Sequence, residues 1–100
     1  MPEKLIDSEK VVERLLVNEV HKLGGIAIKL SAIHFSGLPD RLILLPKERL
    51  FFAELKTTGQ KPRPLQIHVY DKIRKLGFKV YVIDTKQGVH EILEQYKIKL

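Results

Sequence analysis

The pattern of apolar and polar positions near the start of the chain predicts a helix. Apolar residues recur there every three or four positions, which is the spacing of one helix face. Ser8 suits the N-cap, and Gly24 with Gly25 suits the end, because these residue types favour those positions. The apolar stripe consists of Val12, Leu15, Leu16, Val20 and Leu23.

Three strands are predicted next, separated by glycine, proline and polar residues. Residues 26–34 are rich in β-branched side chains and indicate the first strand. Residues 36–40, with a glycine and a proline, break the chain before a second strand at 41–45. A short turn at 46–49 leads into a third strand at 50–56, so the last two strands form a hairpin.

The second half of the chain continues with a loop, a helix, a strand and a helix. The loop, residues 57–64, contains two prolines and a glycine, and Pro64 suits the first turn of the helix that follows. Residues 79–84 indicate a fourth strand and residues 89–96 a short C-terminal helix. The order αβββαβα predicts an α/β fold with a mixed central β-sheet flanked by helices, since a strand–helix–strand crossover makes its strands parallel. The apolar stripe of the second helix is Leu65, Val69, Ile73 and Leu76.

Length and composition fit one small domain spanning residues 1–100. A chain of 100 residues buries enough surface for one core without covalent staples. Cysteine is absent, which excludes disulfides and thiolate metal sites and is typical of a reducing, intracellular compartment. No apolar run approaches the roughly 20 residues of a membrane span, and the N-terminus is too polar for a signal peptide. We therefore expect no membrane partner.

The net charge of +6 is concentrated in one segment. Residues 56–79 contain seven basic side chains against one acidic side chain, whereas the rest of the chain has eleven of each. Clustered lysine and arginine bind nucleic acid by releasing counterions from its phosphates. On charge alone, a solvated helix face explains the segment equally well.

Glu54 and Lys56 interrupt the apolar pattern of the third strand. Side chains alternate along a strand, so both point away from the face of Phe51, Ala53 and Leu55. Burying a charge costs several kcal/mol unless the charge is paired or binds a metal. A weak salt bridge between the two side chains is the simpler explanation.

Asp40 introduces a second explanation. Folding the hairpin at Lys47 and Glu48 brings Asp40 opposite Leu55, or within one residue of it. The simplest register places Asp40 on the Leu55 face, whereas a one-residue bulge or another turn places it on the Glu54 face. The sequence leaves both registers open.

Asp40 and Glu54 on one face would form a site for a divalent cation. Adjacent carboxylates repel each other, and such oxygen ligands, completed by water and phosphate, are typical of Mg²⁺ sites. A bound cation lowers the pKa of its water and neutralises charge on a phosphodiester. Lys56 would orient that water or stabilise the developing charge. This chemistry requires the second register and indicates phosphodiester cleavage.

Several segments resemble one nuclease family. Asp40 follows a proline, as in a PD element, and Glu54 with Lys56 matches an ExK element after thirteen intervening residues. Gln66 matches a glutamine at the head of the next helix. With their flanking strands, these residues are similar to the VRR-NUC domain, a branch of the PD-(D/E)xK superfamily common in small phage-type proteins. The ordered set is more specific than any single motif.

The resemblance implies a restriction-endonuclease-like fold and a metal-dependent DNA endonuclease. Asp40 and Glu54 would bind Mg²⁺ or Mn²⁺, helped by the backbone carbonyl of Leu55. Lys56 and Gln66 would complete the catalytic site. The family also has a glutamate on its first helix that helps to hold the metal or its water.

Three glutamates of the first helix are candidates for that position: Glu9, Glu13 and Glu19. The helical wheel does not choose between them, since Glu19 lies nearer the centre of the apolar stripe than Glu13. The resemblance selects Glu13, ten residues before the Leu-Gly-Gly sequence that ends the helix. An ordinary solvated glutamate is the alternative.

The resemblance also implies contacts with branched DNA and a homodimer. The substrates would be structures such as Holliday junctions or flaps, and two-fold symmetry would place two cuts symmetrically on a junction. A phage-type protein of this kind would act in the cytoplasm of a bacterial or phage-infected host cell. The residues expected to contact DNA phosphates, which position DNA without reading its sequence, are Thr57, Thr58, Lys61, Arg63 and Lys72.

Two other functions are open from the sequence alone. A nucleic-acid-binding module without catalysis would use the same basic segment, with Asp40, Glu54 and Lys56 as a structural ion cluster. An RNA-directed nuclease would share the site and differ in its substrate. Metal dependence separates the binding module from either nuclease.

Overall fold

Three helices and four strands form within residues 5–97, in the order that the sequence predicts. The computed structural model describes these residues, and the ends of the predicted domain, residues 1–4 and 98–100, lie outside them. None of the described helices is long and apolar enough to cross a membrane. The elements are α1 (Glu9–Lys22), β1 (Ile26–Lys29), β2 (Arg41–Leu45), β3 (Arg49–Leu55), α2 (Pro64–Lys75), β4 (Val80–Ile83) and α3 (Lys86–Glu94).

The four strands form one mixed sheet in the order β1-β2-β3-β4. The pairs β1–β2 and β2–β3 are antiparallel, and β3 and β4, which α2 connects, are parallel. A parallel pair needs such a crossover, because a tight turn can join only antiparallel strands. The α/β class and the mixed, helix-flanked sheet predicted from the sequence are therefore confirmed.

The core lies on one face of the sheet, under α1 and α3. Alternate residues of β3 point into it, while Phe52 and Glu54 point to the opposite face, which carries α2. The sheet thus separates an apolar interior from a second face that holds charge. The core residues are Val12, Leu16, Val20, Ile43, Leu45, Phe51, Ala53, Leu55, Ile83, Val89 and Leu93.

The first strand is shorter than predicted, because β1 ends at Lys29 and residues 30–34 form part of a loop. The amide of Leu30 still donates to the carbonyl of Asp40 at 2.8 Å. Beyond it, the hydroxyl of Ser31 accepts from the amide of Ile33 at 3.3 Å, and such local bonds compete with a strand. The composition of the segment favoured a strand, but these local contacts determine a loop, named here the β1–β2 loop (residues 30–40).

The apolar stripe predicted for α2 is only partly correct. Val69 is buried, but Leu65 and Leu76 are exposed, and the other buried residues are Gln66 and Tyr70. The helix is rotated so that its polar and aromatic side chains face Glu54 rather than solvent. A stripe defined by apolar residues alone missed this orientation.

Side-chain caps determine where α1 and α3 begin. Ser8 caps α1 as predicted, because its hydroxyl accepts from the amide of Val11 at 3.3 Å. The hydroxyl of Thr85 accepts from the amide of Gly88 at 2.9 Å. This cap explains why α3 starts at Lys86, earlier than the residue 89 predicted from the apolar pattern.

Candidate active site

The register of the β2–β3 hairpin places Asp40 beside Glu54. Leu45 pairs with Arg49, so the turn holds three residues, and Arg41 pairs with Ala53. Continuing this register by one position sets Asp40 opposite Glu54, on the same face of the sheet. The simplest register considered from the sequence was therefore wrong, and the alternative that the metal chemistry requires was correct.

The carboxylate of Asp40 is anchored to the end of β3. Its Oδ2 accepts a hydrogen bond from the amide of Leu55 at 3.0 Å. Its carbonyl oxygen accepts from the amide of Leu30, which joins the two ends of the β1–β2 loop. Asp40 therefore lies where that loop meets the hairpin, next to Glu54.

Glu54 is almost fully buried, with 2% of its surface exposed. Its Oε2 lies 3.2 Å from the ammonium nitrogen of Lys56 and accepts from Nε2 of Gln66 at 3.2 Å. Its Oε1 is buried and forms no hydrogen bond of regular geometry with residues 5–97, although the hydroxyl of Tyr70 interacts with this carboxylate. Burial raises the pKa of this carboxyl group, and the negative charge of Asp40 raises it further; Tyr70 and Lys56 oppose both effects.

Gln66 connects Glu54 to the start of α2. Its Oε1 accepts from the amide of Arg63 at 2.8 Å, while its Nε2 donates to Glu54. Pro64 occupies the first position of the helix, where a missing N–H group is tolerated. Gln66 thus uses both ends of its amide to hold the N-terminus of α2 against the charged face of β3.

Tyr70 of α2 belongs to the same cluster as Glu54 and Gln66. It lies one helical turn beyond Gln66 and is 1% exposed. Its hydroxyl forms no hydrogen bond of regular geometry with the described residues, and its pKa is raised by burial and then by the charge of Glu54. The i, i+4 spacing of Gln66 and Tyr70 was the signal that indicated a shared face.

Glu13 is not brought together with Asp40 and Glu54. It lies on α1, where its Oε2 accepts from Nε of Arg41 at 3.0 Å and lies 4.0 Å from the ammonium nitrogen of Lys29. Within residues 5–97, no group of three or more histidine, aspartate or glutamate side chains is arranged to hold a metal. The role that the resemblance gave to Glu13 stays a prediction.

The threonines expected to contact DNA, Thr57 and Thr58, form hydrogen bonds within the protein, and their contact with DNA stays a prediction. The hydroxyl of Thr57 accepts from the amide of Glu9 at 3.1 Å. The hydroxyl of Thr58 accepts from the amide of Asp7 at 2.9 Å and donates to the carbonyl of Asp84 at 2.7 Å. These bonds fasten the loop after β3 to the segment before α1 and to the end of β4.

The basic side chains expected to contact DNA are exposed. Lys61 and Arg63 lie in the loop that leads from β3 to α2, and Lys72 lies on α2. Arg74 from the same basic segment has a structural role, since its guanidinium donates to the carbonyl of Val80 at 2.7 Å. The charge available to a ligand therefore comes mainly from the loop and the outer side of α2.

The site has the donor set of a divalent-cation site. Two carboxylates face each other at the end of the hairpin, and one oxygen of Glu54 is buried without a hydrogen bond of regular geometry among the described residues. The charge of Asp40 raises the pKa of Glu54, which means that the two charges repel each other. A cation between them would remove this repulsion and bind that oxygen, so the residues fit Mg²⁺ or Mn²⁺.

Comparisons with known proteins agree with this geometry. No family model matches the chain. The chain is 41% identical over 78 residues to a protein named "Putative nuclease p44" of Acyrthosiphon pisum secondary endosymbiont phage 1, covering 78% of this chain and 84% of that protein. A solved structure described as a VRR_NUC domain has a TM-score of 0.82 and 31% identity, covering 91% of this chain and all of that one. The sequence resemblance is thereby confirmed, and the chain belongs to the VRR-NUC family of nucleases.

Proposed function

We propose that this nuclease is a metal-dependent endonuclease that hydrolyses phosphodiester bonds in DNA, with Asp40, Glu54 and Lys56 at its centre. The observation that carries the proposal is the pairing of Asp40 with Glu54 on the face where Lys56 binds Glu54. The ion pair with Lys56 involves Oε2 and leaves Oε1 of Glu54 without a hydrogen bond of regular geometry among residues 5–97. A cation site explains that oxygen and the position of the buried Glu54 carboxylate beside Asp40 together.

Asp40 and Glu54 would hold Mg²⁺ or Mn²⁺, with the carbonyl of Leu55 as a further oxygen ligand. The bound cation would supply a more acidic water and neutralise charge on the phosphodiester. Asp40 is already oriented, because the amide of Leu55 binds its Oδ2. Glu54 is oriented by Gln66 from the opposite side.

Lys56 would act on the reacting phosphate or on the attacking water. Its side chain is mostly buried, and its ammonium group is held beside Glu54. A compact cation in a site that excludes water stabilises developing negative charge strongly. Gln66 would position Glu54. Glu13 would act indirectly, because its carboxylate binds Arg41, the residue that follows Asp40.

The exposed basic residues Lys61, Arg63 and Lys72 would bind DNA phosphates next to the site, and the loop is stiffened by Thr57 and Thr58. Contacts of this kind position DNA and do not select a sequence. A preference for branched DNA, such as Holliday junctions or flaps, is part of the proposal. It follows from the family resemblance.

An exposed apolar surface supports the homodimer. Ile26 and Ile28 of the edge strand β1 are 58% and 38% exposed and point to the face that carries α2. They pair with Leu44 and Leu42, so the apolar surface continues onto β2. Among the elements of the sheet, α2 packs mainly against β4, at the other edge. A second copy related by a two-fold axis would cover this surface.

The dimer is tested by Ile28→Lys, with Ile33→Lys as a matched control. Ile33 is also exposed but lies in the β1–β2 loop, outside the proposed interface. Light scattering should give a dimer for the wild type and for Ile33→Lys, and a monomer for Ile28→Lys. A wild type that stays monomeric at assay concentration would contradict the dimer and leave the nuclease proposal intact.

The nuclease proposal is tested by cleavage of labelled four-way junction, flap, linear duplex and RNA in Mg²⁺, Mn²⁺ or EDTA. Asp40→Asn and Lys56→Met should each lower the rate by roughly 100- to 1,000-fold or more, the usual cost of losing one group that stabilises the transition state. Asp71→Asn, an exposed carboxylate on α2, is the control and should cut normally.

Two outcomes would contradict the proposal. Binding of DNA without any cutting, unchanged in Asp40→Asn, would favour the binding module. Faster cutting of RNA than of any DNA would change the substrate class and keep the site. Circular dichroism of each variant shows whether the fold is intact.

A further inference from the structure

A cavity of about 430 Å³ lies between the β1–β2 loop and the start of α2. Its size falls within the range of roughly 300–1,000 Å³ that is usual for small-ligand sites. It is open on one side, so a group attached to a larger molecule can enter it. The lining residues are Ala32, Ser36, Gly37, Arg63, Pro64, Leu65 and Gln66.

The cavity adjoins the proposed metal site through Gln66. This residue lines the cavity and also donates to the buried carboxylate of Glu54 at 3.2 Å. A ligand in the cavity would therefore lie one side chain away from the reacting phosphate. Arg63, which is exposed at the same end of α2, supplies positive charge beside it.

The lining suits a flat, largely apolar group better than a phosphate. Ala32, Pro64 and Leu65 present carbon atoms, and Pro64 has no N–H group to offer an anion. Both ends of the Gln66 amide are already engaged. The side-chain donors that remain are one hydroxyl, Ser36, and the guanidinium of Arg63. Nucleobases stack on apolar and guanidinium surfaces of this kind without regard to sequence.

Close backbone packing builds the cavity. Gly37 is buried with φ +90°, and a Cβ atom there would come within 2.8 Å of Val69 on α2. Glycine therefore lets the loop lie directly on the helix.

We propose that this cavity accepts one unpaired nucleobase next to the phosphate cut at Asp40 and Glu54. The inference rests on the proposed function and gives its preference for branched DNA a physical source. In a paired duplex, a base must leave its stack before it can enter a pocket, whereas a base at a flap or branch point is already free. The cavity therefore favours substrates with an unpaired base beside the cut.

The test measures binding, so it does not depend on cleavage. Flaps with a single abasic nucleotide at successive positions next to the junction are titrated in EDTA, and fluorescence anisotropy gives the affinity. The wild type should lose affinity at one position, by roughly 5- to 100-fold, the usual effect of removing one stacked base. Losses spread evenly over all positions would contradict the cavity.

Two matched pairs of variants assign the loss to the cavity. Leu65 and Ile67 are both exposed apolar residues of α2, but only Leu65 lines the cavity. Leu65→Ala should remove the abasic penalty, and Ile67→Ala should keep it. Ala32→Glu and Ile33→Glu add the same charge to the same loop, and only Ala32→Glu should remove the penalty.

The outcomes distinguish this inference from the nuclease proposal. Metal-dependent cutting with an abasic penalty that persists in Leu65→Ala would overturn the cavity and leave the nuclease standing. An abasic penalty that depends on Leu65, with no cutting of any substrate in Mg²⁺ or Mn²⁺, would support the cavity and overturn the nuclease.

Discussion

The two faces of the sheet differ in what they bury. On the face of α1 and α3, the buried residues form one apolar cluster, with Phe51 in contact with Tyr81 and Tyr96 at ring-centroid distances of 5.2 and 5.0 Å. On the face of α2, the buried residues include Glu54 and Gln66. The strand β3 contributes side chains to both faces, because successive side chains of a strand point to opposite sides of the sheet.

This difference indicates a division of tasks between neighbouring residues. Apolar burial on the first face supplies most of the free energy of folding. The second face offsets part of that free energy, since it holds the carboxylate of Glu54 and the hydroxyl of Tyr70 away from water. Substitutions on the two faces should therefore separate stability from activity.

The largest effect is expected for Phe51→Ala, with Phe52→Ala as its neighbour on the other face. Phe51 is fully buried, so its truncation should lower the free energy of unfolding by about 3–5 kcal/mol. Phe52 is only half-buried and should cost clearly less. Urea denaturation followed by circular dichroism measures both. Equal losses of unfolding free energy in the two variants would contradict the view that the face of α1 and α3 supplies most of the stability.

Tyr70→Phe should lower the cleavage rate by about 10- to 100-fold, as loss of a group that orients a metal ligand usually does. Stability should change little, because the buried hydroxyl has lost its contact with water and gains only its interaction with Glu54. Tyr70 lowers the pKa of Glu54, so its removal should shift the acidic limb of the pH–rate profile to higher pH. Lower stability with an unchanged rate and pH profile would reduce Tyr70 to a packing residue.

Glu54→Gln should abolish cutting and raise the free energy of unfolding near neutral pH, because the neutral amide costs less to bury than the carboxylate. The folded state raises the pKa of Glu54 above 4.5, chiefly by burial, so the wild type loses stability as the pH rises through that window. Below pH 4.5 the carboxyl group is protonated in both states, and the advantage of the variant should disappear.

Thermal unfolding at several pH values measures this difference, with the exposed Glu91→Gln as control. Mg²⁺ should raise the unfolding temperature of the wild type and not that of Glu54→Gln, because a ligand stabilises only the state that binds it. A variant less stable than the wild type at neutral pH would show that the ion pair with Lys56 outweighs burial.

The smallest effect is expected in the β2–β3 turn, residues 46–48, whose length determines which side of the sheet each residue of the hairpin faces. Glu48 has φ 60°, a conformation that costs about 1–2 kcal/mol for residues other than glycine. Glu48→Gly should raise the free energy of unfolding by roughly 0.5–1 kcal/mol, after the greater freedom of glycine in the unfolded chain is subtracted. Cleavage should not change. Arg14→Gly, in the exposed middle of α1, should destabilise and so controls for glycine itself.

The elements and the ExK pair could be predicted because local signals determine them. Caps, glycine stops and alternation fix the element order and place Glu54 with Lys56. The register of Asp40 could not be predicted, because β2 is apolar on both faces and its pattern suits either one. The pairing of Glu13 with Arg41 and the orientation of Tyr70 depend on tertiary packing, which local spacing does not encode.

The length of the hairpin turn has a consequence for how this protein can evolve. Alternate residues of a strand face opposite sides of the sheet. The three-residue turn sets the register of β2 against β3, and this register places Asp40 and Glu54 on the same side. Inserting or deleting one residue in the turn would move each β2 side chain to the other side of the sheet and separate Asp40 from Glu54. Because β2 is apolar on both sides, little burial would be lost. A mutant could thus fold well and be catalytically dead. Length changes in this turn should persist in functional descendants only in steps of two, or with a compensating bulge.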